Sequence, residues 1–335
     1  MTERGPGLKA GVLGGGSWGT ALVKVLQHHH SEVHWWVRRP AQLEAIRKGG
    51  FNPDYLSYTH FDNRNLHLST SLEEVVSRSD VVFLAIPSAF LPEVFHTGNR
   101  TLLAGRTVIS AVKGLEPTSL KPVYVWLEEE MGVSRNNLGV IGGPCHSEEV
   151  AMQRLSFLTL GVFDKALGEK VAGMLETPFL KVLLSDDVLG ISVAAVLKNI
   201  YGILAGTAYG LRFGDNFLAV MVSNALLEMD RVLADITGTT RSIQNSVYAG
   251  DLMVTSYSGF SRNWMLGNLI GKGYPVKAAL LEIRMVAEGY YATGVLKSVP
   301  GFSAGKYPLL DAAYALLYDG IPPEQIFREL SSRLR

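Results

Sequence analysis

Disulfide chemistry is closed to this chain: Cys145 is its single cysteine, so no internal bridge can form. Such usage suits a reducing compartment, and a cytoplasmic location is expected. Net charge is missing too. Lysine plus arginine number 31 and aspartate plus glutamate number 31, so no global field draws the chain to nucleic acid or to an anionic membrane. Neither is expected as a partner. The opening Met-Thr-Glu-Arg-Gly-Pro-Gly lacks the apolar core of a signal peptide. His28, His29 and His30 have no carboxylate or cysteine at ligand spacing, so no metal site is expected. Long apolar runs are scarce. Val188–Gly206 comes nearest, interrupted by Ser192, Lys198, Asn199 and Tyr201. A lysine near the middle is costly in hydrocarbon, so a buried helix is expected there and no membrane insertion.

What is present is a strong alternation of segments. At 335 residues the chain is long enough for two domains. Strands are expected at Lys9–Leu13, Glu32–Val37, Asp80–Ile86, Thr107–Val112, Leu138–Ile141, Phe157–Val162 and Lys181–Leu184. Helical patterns separate them at Trp18–Gln27, Ala41–Lys48, Leu72–Ser77, Leu120–Met131 and Lys165–Leu175. Continuous apolar strands alternating with helices predict an α/β, doubly wound, Rossmann-type parallel sheet covered on both faces. Beyond Asp187 the strand signal fades. Helices are expected near Val188–Gly206, Asn216–Asp235, Val276–Ser298 and Leu309–Tyr318. The expected division is a dinucleotide-binding domain over 1–187 and an all-helical substrate-binding, catalytic domain over 188–335.

The first strand runs into Gly14-Gly-Gly-Ser-Trp-Gly-Thr-Ala21. Gly14, Gly16 and Gly19 fill the G-x-G-x-x-G spacing: a tight turn, room for a pyrophosphate, and close helix–strand packing. The helix that follows presents free N–H groups to a diphosphate. A site preferring NAD carries an acid at the end of the second strand. Here Val33-His-Trp-Trp-Val-Arg-Arg39 ends in Arg38 and Arg39 instead. An arginine there can pair with a 2′-phosphate, so NADP(H) is expected over NAD(H), with dual use open.

Lys198 sits in an apolar helical stretch whose neighbours at three and four residues are Ala194, Ala195, Tyr201 and Gly202. Two readings stand: a buried amine without a local anion, its pKa lowered for acid–base work, or a lysine snorkelling to the surface. Lys113 ends a strand, where open α/β sheets bind ligands, or is a surface turn lysine. Asp251 can orient an ammonium or cap a helix. The hydroxyl-rich Thr255–Trp264, ending near Arg262 and Asn263, can clamp a phosphate or serve as a polar loop.

Together these segments resemble NAD(P)-dependent glycerol-3-phosphate dehydrogenases of the bacterial biosynthetic type. The pieces that carry the likeness are Gly14–Ala21, Ala111-Val-Lys-Gly-Leu-Glu116, Gly143-Pro-Cys-His-Ser-Glu-Glu149, Val196-Leu-Lys-Asn-Ile200, Gly250-Asp-Leu252, Ser261-Arg-Asn263 and Ala287-Glu-Gly289. The resemblance implies reduction of dihydroxyacetone phosphate to sn-glycerol 3-phosphate for glycerophospholipid synthesis, and a homodimer. It implies Lys198 as the proton-transferring lysine, Lys113 as the lysine contacting substrate and nicotinamide, and Asp251 as their carboxylate. Ser261, Arg262 and Asn263 would hold the phosphate, with Gly143 and Cys145 also on the substrate. Ser17, Trp18, Arg38, Lys113, Ser147, Arg262, Val286 and Glu288 would contact the cofactor.

Three departures stand out. Cys145 replaces the usual serine or threonine, and a thiol donates poorly. Glu148 replaces a usual lysine or arginine. Tyr248-Ala249 precedes Gly250-Asp-Leu252 where Gly-Leu is usual. The rival readings are a β-hydroxyacid or 6-phosphogluconate-type dehydrogenase, and a non-catalytic NADP(H) sensor.

Overall fold

The computed structural model describes residues 8–29, 32–283, 286–295, 298 and 305–335. His30, parts of the predicted helix Val276–Ser298 and the opening segment 1–7 lie outside the described residues. The chain divides into two compact units. Unit 1 is 1–86, 90–112 and 123–188, and unit 2 is 87–89, 113–122 and 189–335.

Unit 1 holds eight strands: β1 (Ala10–Leu13), β2 (Val33–Trp36), β3 (Leu66–Ser69), β4 (Val81–Leu84), β5 (Thr107–Ser110), β6 (Leu138–Gly142), β7 (Ser156–Val162) and β8 (Leu180–Ser185). Its helices are α1 (Ser17–Gln27), α2 (Pro40–Gly49), α3 (Leu72–Ser77), α4 (Leu91–Val94), α5 (Val123–Glu129), α6 (Ser147–Ala151) and α7 (Lys165–Leu175). The sheet order is β3-β2-β1-β4-β5-β6-β7-β8. Its first six strands are parallel, with Val12 opposite Trp35 on one side and Phe83 on the other. This is the strand order of the dinucleotide-binding fold.

Period-two alternation sends side chains to two cores. Val12 and Phe83 pack with Leu22 and Leu26 of α1 and Ile46 of α2. Leu13 and Leu84 pack with Val75 of α3 and Trp126 of α5 on the opposite face. Each such fully buried side chain contributes roughly 1.5–3 kcal/mol. Helices on both faces make the sheet doubly wound, as the apolar strands predict.

Two details differ from expectation. β3 is an additional edge strand, and β7 runs antiparallel to β6 while pairing parallel with β8. The reversal follows from length. The helix between β6 and β7 has five residues, about 8 Å at 1.5 Å per residue, far short of the ~20 Å a strand spans. The chain therefore re-enters the sheet at the same edge and runs back.

Unit 2 is helical: α8 (Val188–Gly210), α9 (Asp215–Thr237), α10 (Asp251–Tyr257), α11 (Arg262–Gly271), α12 (Val276–Glu282), α13 (Glu288–Val295), α14 (Pro308–Leu317) and α15 (Pro323–Ser331). The predicted Val276–Ser298 helix is thus interrupted: Ile283 caps α12, and α13 starts again at Glu288. The most apolar stretch of α8 is 89% buried inside the protein, which satisfies its hydrophobicity without lipid.

One buried carboxylate fastens two of these helices. Glu228 of α9 is 1% exposed and accepts the Leu309 and Leu310 N–H groups at 2.9 and 3.0 Å, satisfying orphan donors at the start of α14. Tyr201 Oη of α8 donates to it at 3.2 Å. Burial pushes this carboxyl from its ordinary 4.5 up to about 7. The folded state therefore holds the proton more tightly than the unfolded chain. The associated stabilisation is complete below about pH 4.5 and is lost as pH rises through 7. In urea titrations between pH 5 and 8, the native chain should lose on the order of 2–3 kcal/mol relative to Glu228→Gln. Parallel pH profiles for the two proteins would show that Glu228 holds no such proton.

Candidate functional site

In unit 1 the glycine turn behaves as its spacing predicts. Gly14 has φ +127°, and a Cβ there would lie 2.5 Å from the Ala85 carbonyl oxygen. A Cβ at Gly19 would overlap the Gly14 carbonyl oxygen, so α1 packs directly on the turn. Gly16 faces open space, with no atom within 4 Å of a Cβ built there. It is also the N-cap of α1, with no side-chain cap and no acid in the first turn. The N-terminal N–H groups and positive dipole end of α1 suit an anion. Ser17 is buried in that first turn, and the buried Trp18 Nε1 has no partner among the described residues. These observations fit a dinucleotide diphosphate at the turn.

Other predicted residues follow carboxyl ends of the parallel strands, where α/β sheets take ligands. Gly143 follows β6 with φ +100°. Cys145 is 5% exposed, and its Sγ donates to the Gly143 carbonyl at 3.2 Å. Ser147 opens α6, and its Oγ donates to Glu148 at 3.0 Å. Arg38 follows β2 but is not idle: it pairs with Glu93 at 3.0 Å and lies 5.6 Å from the centroid of the Phe90 ring. Arg39 pairs with Asp54 at 2.6 Å. An exposed ion pair such as Arg38–Glu93 is worth at most about 1 kcal/mol, so a 2′-phosphate dianion can displace the carboxylate.

In unit 2 the lysines converge on one acid. Lys198 Nζ lies 2.5 Å from Asp251 Oδ1, and Lys113 Nζ lies 3.9 Å from Asp251 Oδ2. Lys198 is 4% and Asp251 2% exposed. The expected amine without a counter-charge is therefore corrected. No acid lies within its own helical turns, but one arrives from α10, 53 residues on. Snorkelling to solvent is excluded by the burial. Asp251 does not cap its helix; it is the first residue of α10, directly after a π-helical turn at Ser246–Gly250. Such turns are rare overall and frequent at functional sites.

Asn199, not singled out in the sequence, is 6% exposed and donates from Nδ2 to the Lys113 carbonyl at 3.0 Å. It fastens the Lys113 backbone to α8. The available signal was a second polar residue beside Lys198 in an apolar helix. The buried Thr255 Oγ1 of α10 has no partner among the described residues.

The predicted phosphate run starts α11. Ser261 is its N-cap and accepts the Trp264 N–H at 3.2 Å. Arg262 is the first helical residue, and Asn263, 7% exposed, accepts the Gly289 N–H on Oδ1 at 2.9 Å. Val286 precedes α13. Glu288 accepts Ser88 N–H at 2.8 Å on Oε1 and Ser88 O–H at 2.5 Å on Oε2. Loss of hydration raises its carboxyl pKa, while the Ser88 bonds oppose the rise. A Cβ at Gly114 would sit 2.5 Å from Glu288 Oε2, so that loop lies directly against the carboxylate.

A glycine turn on a 3-2-1-4-5-6 sheet, with a buried lysine and a half-buried one around a carboxylate in a helical unit, defines a nucleotide-dependent dehydrogenase class. Family models described as the NAD-dependent glycerol-3-phosphate dehydrogenase N-terminus and C-terminus match residues 9–167 and 187–328. The chain is 32% identical over 325 residues to glycerol-3-phosphate dehydrogenase (NAD(P)+) of Oceanobacillus iheyensis, covering 97% of this chain and 94% of that protein. It is 31% identical over 326 residues to the enzyme of that name from Bacillus subtilis, with 97% and 94% covered. The crystal structure of glycerol-3-phosphate dehydrogenase from Coxiella burnetii matches with TM-score 0.90 at 26% identity, over 97% of this chain and 99% of that one. The chain belongs to the NAD-dependent glycerol-3-phosphate dehydrogenase family.

Arg38→Ala should raise the Kd for NADPH about tenfold or more, the loss of one charge-assisted contact, and leave NADH within about twofold. Fluorescence titration with each reduced cofactor measures this. Equal weakening of both would rule out a 2′-phosphate contact.

Proposed function

We propose that this chain reversibly reduces dihydroxyacetone phosphate to sn-glycerol 3-phosphate with NAD(P)H, supplying glycerol 3-phosphate for glycerophospholipid synthesis. The observation that carries the reading is the buried Lys198–Asp251 pair with Lys113 beside it. When bound, the reduced nicotinamide supplies the hydride. Gly14, Gly16, Ser17, Trp18 and Gly19 hold the diphosphate, and Arg38 at the end of β2 favours NADP(H). Ser147, Val286 and Glu288 complete the cofactor contacts.

The substrate oxygen that becomes a hydroxyl must gain a proton, and the Lys198 ammonium donates it. Lys113 lends positive charge to the same oxygen as negative charge develops there. Asp251 keeps both ammonium groups in place and balances the charge left after transfer. Arg262 and Asn263, with Ser261, grip the phosphate away from the reacting carbon, so binding energy there positions the ketone. Gly143 and Cys145 line the substrate, the thiol standing where a stronger hydroxyl donor is usual. In this reading 1–187 binds the dinucleotide and 188–335 the substrate, with Lys113 joining the helical part. The protein works in the cytoplasm as a homodimer, without membrane insertion or nucleic acid.

The test pairs oxidation of NADPH and NADH by dihydroxyacetone phosphate with a panel of oxo-acids. Lys198→Ala should lose about 10²–10⁴ in kcat, the usual contribution of a positioned acid, with NADPH affinity within about twofold. Because alanine strands a buried carboxylate, Lys198→Arg provides the folded control. It keeps the charge but yields its proton too reluctantly, and should be comparably inactive. Near-native turnover in the arginine variant would remove Lys198 from the chemistry, and turnover of oxo-acids alone would replace the substrate.

A further inference from the structure

Glycines recur every fourth residue in two helices of unit 2. α8 carries Gly202, Gly206 and Gly210, and α11 carries Gly267 and Gly271. Four-residue spacing puts each set on one helix face. A mid-helix glycine costs about 1 kcal/mol relative to alanine, so the pattern has to answer a spatial demand. That demand is backbone contact. A methyl at Gly206 would overlap the Trp264 carbonyl oxygen, and one at Gly267 would overlap that of Ile203. At Gly271 it would overlap the Thr207 oxygen, and at Gly210 it would lie 2.6 Å from that of Asn268. A side chain in such a position could rotate away. A helix carbonyl cannot, so any added methyl drives the two helices apart.

This contact lies close along both helices to the residues that the proposed function uses. Ile203 lies just over one turn beyond Lys198, and Trp264 lies in the first turn after Arg262. A third glycine locks the same junction. Gly289 of α13 donates its N–H to Asn263 Oδ1 at 2.9 Å, and a methyl there would sit 2.5 Å from the Asn199 carbonyl oxygen. With Oδ1 committed to that backbone donor, the orientation of the Asn263 amide is fixed, and its NH₂ is the group left to meet an acceptor.

We propose that Gly206 and Gly267 are positioning residues for recognition of the substrate phosphate. They set the separation between the helix bearing Lys198 and the helix start bearing Arg262 and Asn263, and so match the site to a short phosphomonoester ketone. This rests on the function proposed above. A ketone with a phosphate is held at two points, and the distance between those points matters. A ketone without one is indifferent to it.

The test compares kcat/KM for dihydroxyacetone phosphate and for dihydroxyacetone, at saturating NADPH, in Gly206→Ala and Gly267→Ala. Gly173→Ala in α7, where a Cβ meets nothing within 4 Å, controls for helix propensity and should match the parent. Each interlock variant should lose about tenfold or more with the phosphorylated ketone, a loss in line with sub-ångström to ångström misplacement, and stay within about threefold with dihydroxyacetone. The preference for the phosphorylated substrate therefore narrows, mostly through KM. Equal losses on both ketones would mean a merely structural role and overturn the proposal, as would unchanged preference in a folded variant. Should both variants fail to fold in thermal melts, Gly210→Ala, farther from Arg262, should narrow the preference by a smaller factor of about threefold. Unchanged preference there overturns it too. A parent chain inert toward dihydroxyacetone phosphate defeats the functional reading itself, a result distinct from any of these.

Discussion

The Lys198–Asp251 ion pair ties α8 to α10 in the interior of unit 2. Both groups are withdrawn from water, and the desolvation of two ions costs several kcal/mol before their attraction returns any of it. An apolar pair of equal volume would stabilise the fold at least as well. Its presence is therefore weak evidence for stability and stronger evidence for chemistry. The constraint spreads outward. Asp251 reaches the lysine from the first position of α10, directly after a π-helical turn. Lys113 reaches the same carboxylate from a segment whose backbone is held by Asn199, the residue next to Lys198. Neighbouring residues of α8 thus hold two of the three charged partners in place.

Unit 1 solves a different problem with little charge. Its anion site is made from absences: no Cβ at Gly14, Gly16 or Gly19, no side chain capping α1, and no acid in its first turn. Backbone N–H groups then provide the positive potential, and they need no counter-ion when nothing is bound. Arg38, just beyond β2, is held by Glu93 and Phe90. Such an exposed pair is cheap to exchange, so the guanidinium can pass to another anion at low cost.

Much of this was legible in the sequence where the signal is local. Apolar four-residue runs such as Val81–Leu84 read as strands because both faces are covered, and the glycine spacing read as a turn for a diphosphate. Leu66–Ser69 did not, because an edge strand with alternating His67 and Ser69 lacks the continuous apolar run of an inner one. The antiparallel turn into β7 depends on a helix too short to cross the sheet, and Ser147–Ala151 gives little periodicity to recognise. Lys198 was conspicuous, but its counter-charge was not, since the helical neighbours that a sequence exposes are three or four residues away and Asp251 is 53. Asn199 was hidden for the same reason: its partner is a backbone carbonyl, which carries no residue signature.

Three carboxylates in unit 2 show how partner chemistry separates roles that burial alone would merge. Glu228 is held by two backbone N–H groups and a tyrosine hydroxyl, and its pKa rises to about 7. Glu288 is held by the N–H and O–H of Ser88, and its pKa rises as well. Neutral donors steady a carboxylate without fully offsetting lost hydration, so both groups fasten segments: one the start of α14, the other the short loop at Ser88. Asp251 meets two ammonium groups instead. A full opposite charge compensates the buried acid and ties Lys198 and Lys113 to one point. In the function proposed above the amine gives the proton and the carboxylate serves as its anchor, the division of roles that a ketone oxygen gaining a proton requires.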